Sequence, residues 1–416
     1  MTTDAASPGL LGWWRDGTPD GRRALVAAAL GWMLDAFDVM LWALVLPDVM
    51  AHFALSKPAA GLLGSIALLA SAAGGLAFGV IADRFGRTRA LIGSILGYSI
   101  FTFLCGLSQT VWQLAAFRVG LGLGMGGEWA SGAALVAESW SARDRGKALG
   151  LMQSAWAIGY GAAAAVTGVV LPRWGWRWVF FVGVLPALIT LWIRRGVREP
   201  ALWQAGRAAG ASRGVDLGAV VGEGRLGLTI VVTLMNACTL FAWWGFNLWL
   251  PGYLSFPAAQ GGVGLSPATM SGFVVAMQVG MWLGYVTFGY VGDWIGRRRA
   301  YVIYLLAAAA LILIYVSIRA PLPLLLLGPF VAFFATGYYS GFGAVTAEIY
   351  PTAVRATAQG LTYNTGRIAS AAAPFAVGTL AQTHGFGAAL TICSAAFVLA
   401  AICWLWIPET RGRALA

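Results

Sequence analysis

Long apolar runs separated by short polar turns fill this chain. Stretches of about 20 apolar residues, the length that crosses the hydrocarbon core of a bilayer, fall near 24–50, 59–82, 90–108, 111–138, 147–171 and 176–194. After a polar segment from Arg195 to Arg225 they resume near 226–254, 270–292, 300–318, 322–349, 357–382 and 386–407. The pattern predicts an all-α membrane protein with twelve transmembrane helices in two bundles of six. Hydrocarbon offers no partner for an open sheet edge, so the spans must be helices. The expected organisation is an N-terminal segment (1–23), a first bundle (24–194), a linker (195–225), a second bundle (226–408) and a tail (409–416).

The basic residues orient the spans. Arg15, Arg22 and Arg23 precede the first span, and alternate loops carry Arg84, Arg87 and Arg89; Arg143, Arg145 and Lys147; Arg194 through Arg225; Arg297, Arg298 and Arg299; and Arg355. Arg411 and Arg413 lie in the tail, whereas the opposite loops hold only Lys57, Arg173, Arg177 and Arg319. Both termini are therefore expected on the cytoplasmic side. Only Arg118 and Arg367 remain, and both fall inside spans.

Composition agrees with a lipid solvent: 59% of the 416 residues are hydrophobic and 10% charged, against about a quarter charged in a soluble domain. The 27 Lys+Arg against 16 Asp+Glu would suit nucleic acid, but their placement in alternate loops makes anionic lipid headgroups the expected partner instead. Cys105, Cys238, Cys393 and Cys403 all sit in apolar stretches without metal-ligand spacing, so no disulfide, metal or other cofactor is expected. His52 and His384 fall in loops far from the buried acids, which argues against an enzyme. The first 23 residues lack the short apolar core and small-residue site of a cleaved signal peptide.

Shifting the chain by 210 positions superposes Gly79, Asp83, Gly86, Arg87 and Arg89 on Gly289, Asp293, Gly296, Arg297 and Arg299. The same shift matches Glu138, Arg145, Gly150 and Leu151 with Glu348, Arg355, Gly360 and Leu361, and Leu55-Ser56 with Leu265-Ser266. One offset held across three loops is a duplication. Duplicated helical halves around a site near the membrane midplane are the architecture of secondary transporters.

The run from Gly79 to Arg89, repeated from Gly289 to Arg299, resembles the loop signature of the major facilitator superfamily. Arg118-Val-Gly-Leu-Gly-Leu-Gly, Glu348-Ile-Tyr-Pro-Thr-Ala-Val-Arg355 and Pro408-Glu-Thr-Arg-Gly are similar to further signatures of that family. Within it, Leu34-Asp35-Ala-Phe-Asp38, Gly124-Met-Gly-Gly-Glu128-Trp, Trp174-Gly-Trp-Arg-Trp-Val-Phe-Phe and Tyr363-Asn-Thr-Gly-Arg367 resemble the bacterial sialate and lactate proton symporters and the related aromatic-acid group. Ala36 stands where the aromatic-acid group usually has Gly, which favours the first of the two. The resemblance implies a bacterial inner-membrane protein, acting as a monomer.

An ionisable residue at bilayer depth is costly and marks function by default. Counting about 1.5 Å per residue from position 24, Asp35 lies roughly 17 Å deep and Asp38 roughly 21 Å, on one helix face. Two carboxylates this close in a low dielectric do not both stay ionised, so one is expected to carry a proton. Alternatively, Asp38 is a permanent partner of Arg118. Arg118 and Glu128, about 10 Å and 25 Å from the opposite end of the fourth span, overlap the acid pair in depth; Glu128 joins the acids as a proton-coupling candidate, and Arg118 is either a substrate contact or a structural or gating ion-pair partner. The resemblance implies that the first and fourth helices line one cavity, with Asp38 near Arg118 and Asp35 near Glu128.

Arg367 lies roughly 15 Å into the eleventh span, with Tyr363 and Asn364 one turn before it. A guanidinium grips a carboxylate bidentately, and Ala157, its counterpart under the 210 shift, carries no charge. Trp243, Trp244 and Asn247 of the seventh span, Tyr338 in the tenth, and Gln153 and Tyr160 in the fifth complete the candidate substrate contacts. The resemblance gives Asp83, Arg87, Asp293 and Arg297, together with Glu138, Arg145, Glu348 and Arg355, a different part: they latch the two bundles on the cytoplasmic side and control the conformational change. Gly120, Gly122, Gly124 and Gly126 are expected to permit close helix packing.

The expected activity is proton-coupled uptake of a small organic anion, such as a monocarboxylate or sialic acid, by alternating access. Uptake of an aromatic acid, proton-driven export, and a transporter-like sensor remain as alternatives.

Overall fold

The computed structural model describes residues 12–141, 144–200, 204, 222, 224–350 and 355–411, and every regular element among them is helical. The first half comprises α1 (Pro19–Phe53), α2 (Lys57–Phe85), α3 (Arg87–Leu107), α4 (Val111–Ser139) and α5 (Arg145–Trp174). Its sixth span, α6, is interrupted: Trp176–Val182, a 3-10 turn at Leu185–Leu188, then Ile189–Gly196. The second half follows with α7 (Leu226–Ser255), α8 (Pro267–Ile295) and α9 (Arg297–Ser317). Here α10 is the interrupted span: Pro321–Thr336, a 3-10 turn at Gly337–Gly341 and Phe342–Ile349. The helix Arg355–Ser370 begins α11, which runs on into Ala373–Cys403; Gly385, at φ 80°, breaks that stretch and starts α12.

Among the described residues ten helical stretches are long and apolar enough to cross a membrane. One of them, Thr357–Cys403, has 47 residues and contains the Gly385 break, so it crosses twice. With the 29-residue α4, that makes the twelve spans expected. Some helices start before the apolar run does: Thr18 caps α1 by accepting from the Gly21 amide at 3.0 Å, with Pro19 in the first turn. Ser56 and Ser266, one repeat apart, cap α2 and α8 in the same way.

Within the first half α4 packs on α2 and α3, and α1 on α5; within the second, α10 packs on α8, and α7 on α11 and α12. Small residues let backbones touch: a side chain on Gly126 would run into the Ser71 carbonyl of α2. The halves meet along three seams, α5 with α8, α2 with α11, and α1 with α7. They close most tightly toward the Arg-poor end, where a Cβ on Gly378 would lie 2.6 Å from the Lys57 carbonyl and one on Gly168 2.9 Å from Ser271.

At the Arg-rich end the repeated Arg–Glu pairs each lie within one half. Arg87 pairs with Glu138 at 2.9 Å, and Arg297 with Glu348 at 3.3 Å and Asp293 at 2.8 Å. The predicted latches thus clamp helices inside each bundle in this conformation instead of bridging the two, because the seams draw the halves together at the opposite end. Arg145 forms no ion pair among the described residues, Arg355 donates to the Tyr350 carbonyl at 3.3 Å, and the side chain of Asp83 lies outside the described ones. The repeat extends further than the loop motifs. Glu199 accepts from the Thr88 and Arg89 amides, and Glu409, 210 positions on, accepts from those of Arg297 and Arg298. Each carboxylate therefore caps the first turn of the third helix of its half.

Candidate functional site

Between the halves, near mid-depth, lies a small cavity lined by Trp32 of α1, Gln153 and Trp156 of α5, Leu240, Trp243 and Trp244 of α7, Tyr285 of α8, Tyr339 of α10, and Tyr363 and Arg367 of α11. Aromatic rings form most of the wall. Trp156 is the hinge of this lining: its ring lies 4.7 Å from Trp32 in its own half, and 5.6 Å and 6.3 Å from Trp243 and Trp244 across the seam. Toward the Arg-rich end Trp129 of α4 stacks on Tyr363 with centroids 5.1 Å apart and planes 16° apart. Tyr363, a lining residue, is thereby packed against an aromatic ring of the opposite half.

Arg367 is the cationic group of this wall. It is only 4% exposed, and its Nε has no hydrogen-bond partner. No carboxylate among the described residues lies within ion-pair distance of it, although Asp35 stands within electrostatic reach across the seam. The indole N–H groups of Trp32, Trp156 and Trp243 likewise have no acceptor among the described residues. Buried donors without acceptors are rare in folded proteins, and all four of these belong to residues that line this one cavity.

Behind this wall, inside the first half, are three buried acids. Asp35 and Asp38 are each 1% exposed and Glu128 is fully buried; among the described residues the carboxylates of Asp35 and Glu128 have no hydrogen-bond donor, and Asp38 has only the Thr102 hydroxyl beside it. Glu128 sits against α1 where Gly31 leaves room for it; a Cβ there would lie 2.5 Å from its Oε1. Tyr98 of α3, which the sequence analysis did not single out, is buried within electrostatic reach of all three acids. An ionised carboxylate without donors is strongly disfavoured at such depth. The arrangement suits groups that take up and release protons.

The expected Asp35–Glu128 neighbourhood is present, the two being close enough to interact. The expected Asp38–Arg118 contact is not formed. Asp38 turns toward α3 and α6, with its Oδ1 3.0 Å from where a Gly183 Cβ would be. Arg118 instead donates from Nε to the Leu63 carbonyl at 3.1 Å and lies 4.0 Å above the Trp42 ring. A backbone carbonyl and a ring face hold the guanidinium there without a carboxylate. Arg118 lines a second, smaller cavity nearer the Arg-poor end, and Trp244 forms part of both walls.

Of the other candidate contacts, Trp243, Trp244, Gln153 and Tyr363 line the first cavity. Asn247 and Asn364 do not; their amides return to the carbonyls of Trp243 and Gly360 one turn back. Tyr160 reaches the Asn247 carbonyl at 3.5 Å. Tyr338 faces the interior of the second half, among Tyr301, Phe342 and Phe397, and its neighbour Tyr339 takes the place at the cavity. Trp32, Trp156, Leu240 and Tyr285 were also missed. A helical count about the polar residues of each span, Asp35, Gln153, Asn236 and Gln278, would have put Trp32, Trp156, Leu240 and Tyr285 on the same faces as those residues.

Comparison with known proteins places this geometry in a family. The Major Facilitator Superfamily profile matches residues 28–257 and 254–416. The chain is 34% identical over 420 residues to the "Probable 4-methylmuconolactone transporter" of Cupriavidus pinatubonensis, covering 98% of this chain and 95% of that one. It is 31% identical over 389 residues to the sialic acid transporter NanX of Escherichia coli, covering 92% and 93%. Among solved structures, the partially occluded inward-open xylose transporter XylE of E. coli superposes with a TM-score of 0.77 at 21% identity, over 96% of this chain and all of that one, a likeness of fold. The chain therefore belongs to the Major Facilitator Superfamily and is a multi-pass membrane transporter, not an enzyme.

Proposed function

We propose that the protein is a proton-coupled symporter that imports a small, flat organic carboxylate by alternating access, with both termini on the cytoplasmic side of a bacterial inner membrane. The observation that carries this is the unpaired, buried Arg367 in an aromatic-walled cavity, facing Asp35 across the seam between the halves. In this mechanism Arg367 receives the substrate carboxylate bidentately. The rings of Trp156, Trp243 and Tyr363 bury its apolar faces, and the unpaired indole N–H groups take its remaining oxygens. Asp35, Asp38 and Glu128 load protons when the cavity faces outward and release them inward. A protonated Asp35 leaves Arg367 free for the substrate, whereas an ionised Asp35 competes for it, and that competition couples the two fluxes.

Relatives named as a sialic acid transporter and a "Probable 4-methylmuconolactone transporter" bracket the substrate class. A polyhydroxylated acid such as sialate needs many donors and acceptors, and this wall is mostly ring surface. Lactate is too small to use the rings. The lining therefore favours the aromatic or conjugated acids over the sialate and lactate that the sequence motifs favoured.

The test is uptake into proteoliposomes under an inward proton gradient, with a hydroxybenzoate, cis,cis-muconate, lactate and sialate compared. Acceleration of the flat acids above the other two is expected. If the gradient accelerates none of them, symport is wrong; preference for sialate overturns the flat-substrate assignment. Stimulation by an outward gradient instead would make the protein an exporter, and specific binding without flux would make it a sensor.

A further inference from the structure

Lys57 opens α2 at the Arg-poor end, and its repeat counterpart under the 210 shift is Pro267. The charge therefore belongs to the first half alone, as do the charges of the buried acids. It does not point to water. Lys57 is 7% exposed, and its ammonium crosses the seam into the second half. There it donates to the Gln260 carbonyl at 3.2 Å and to the Ala381 carbonyl at 3.3 Å. It also lies 4.7 Å from the Phe386 ring centroid and 5.6 Å from that of Phe256. Its own backbone N–H donates to Gln382 Oε1 at 3.3 Å. No carboxylate among the described residues pairs with it.

The socket is braced before Lys57 arrives. Phe256 and Phe386 stack on each other with centroids 5.6 Å apart, and Arg319 pins the Gly261 and Gly262 carbonyls at 3.1 Å each. All of these groups belong to the second half.

We infer that Lys57 is a gating residue that holds the Arg-poor end closed, by plugging a carbonyl and aromatic socket of the opposite half. The chemistry suits a closure that must reopen in every cycle. Carbonyls and ring faces hold an ammonium, but they leave no buried counter-charge behind when it withdraws. An ammonium is also strongly hydrated, so water competes well for it once the halves part. A buried salt bridge at this point would strand a carboxylate on opening.

The experiment uses the full-length protein in lipid, with spin labels at Ala51→Cys on α1 and Ala259→Cys in the loop after α7. Both positions are exposed and lie in opposite halves, at the Arg-poor end. The chain without these two substitutions is the labelling blank, since its own four cysteines are buried or half-buried. Lys57→Glu, which the carbonyls repel, is expected to raise the population at the longer label distance about tenfold. Lys57→Met, which keeps the ring contacts and loses both carbonyl bonds, is expected to raise it about threefold. Should Lys57→Glu fail to fold, Lys57→Met decides. Folded variants that keep the parent distance distribution overturn the assignment. The readout needs neither substrate nor proton gradient, so its outcome is independent of the proposed symport.

Discussion

At the same depth the two halves present opposite chemistry to the seam between them. Among the described residues the first half holds the buried carboxyl groups of Asp35, Asp38 and Glu128, and the second holds Arg367, whose Nε lacks an acceptor. Both halves descend from one unit, and outside the seam they still behave alike. Arg87–Glu138 repeats as Arg297–Glu348, and the Glu199 cap repeats as Glu409. Duplication thus supplied the scaffold and its helix-end contacts, while the residues that line the seam were free to diverge. The contrast between an acid-bearing half and a cation-bearing half can be tested by removing each side in turn.

The largest effect is expected on the cationic side. Arg367→Gln removes the one guanidinium that lines the main cavity, and truncating one partner of a buried charge pair costs about 2–5 kcal/mol. Carboxylate affinity should therefore fall at least about thirtyfold, measured by calorimetry on the purified protein. Arg367→Lys should recover only part of it, since an ammonium cannot make the bidentate contact. Full affinity in Arg367→Gln would leave Arg367 a structural residue and erase the contrast.

The acidic side should respond differently. Asp35→Asn keeps the shape and cannot exchange a proton, so accumulation under a proton gradient should collapse to equilibration while substrate counterflow persists. The same substitution at Asp38, which faces α3 and α6 away from Arg367, should impair accumulation and leave binding unchanged. If both variants still accumulate substrate, proton loading resides in Glu128 or elsewhere. Loss of counterflow in both would mean that the acids hold the fold together instead.

Legibility in the sequence followed the range of the interaction. Twelve spans, two halves and the helix-end charges were readable because they depend on local apolar length and on a fixed 210-residue offset. The buried acids and Arg367 were readable because a charge in an apolar run stands out. The ring lining was not, since Trp32 and Trp156 differ from lipid-facing tryptophans only in helix rotation and in what crosses the seam. Tyr338 shows the physics most clearly. Under the repeat it is the counterpart of Glu128, and both side chains turn into their own half, while the next residues, Trp129 and Tyr339, come to the seam. Lys57 was visible only as a loop cation, because its socket is assembled from residues some 200 to 330 positions away.

The smallest expected effect sharpens the comparison from the side where the halves agree. Glu409 is exposed at the Arg-rich end, outside the spans. Burial alone would raise its carboxyl, but the amides of Arg411, Arg297, Arg298 and Thr410 outweigh this and hold it below its ordinary value. A carboxyl lowered by folding contributes stability above its unfolded value, and that contribution is lost as pH falls through the folded one. Because the group is exposed, the contribution should be less than about 1 kcal/mol. Glu409→Gln should therefore lower the melting temperature of the purified protein slightly at neutral pH, and the difference from the parent should vanish in acid below the ordinary carboxylate range. Glu199→Gln removes the equivalent cap from the first half, so a similar small loss is expected there. A large loss from one and none from the other would mean that the halves have diverged at their helix caps as well as at their shared seam.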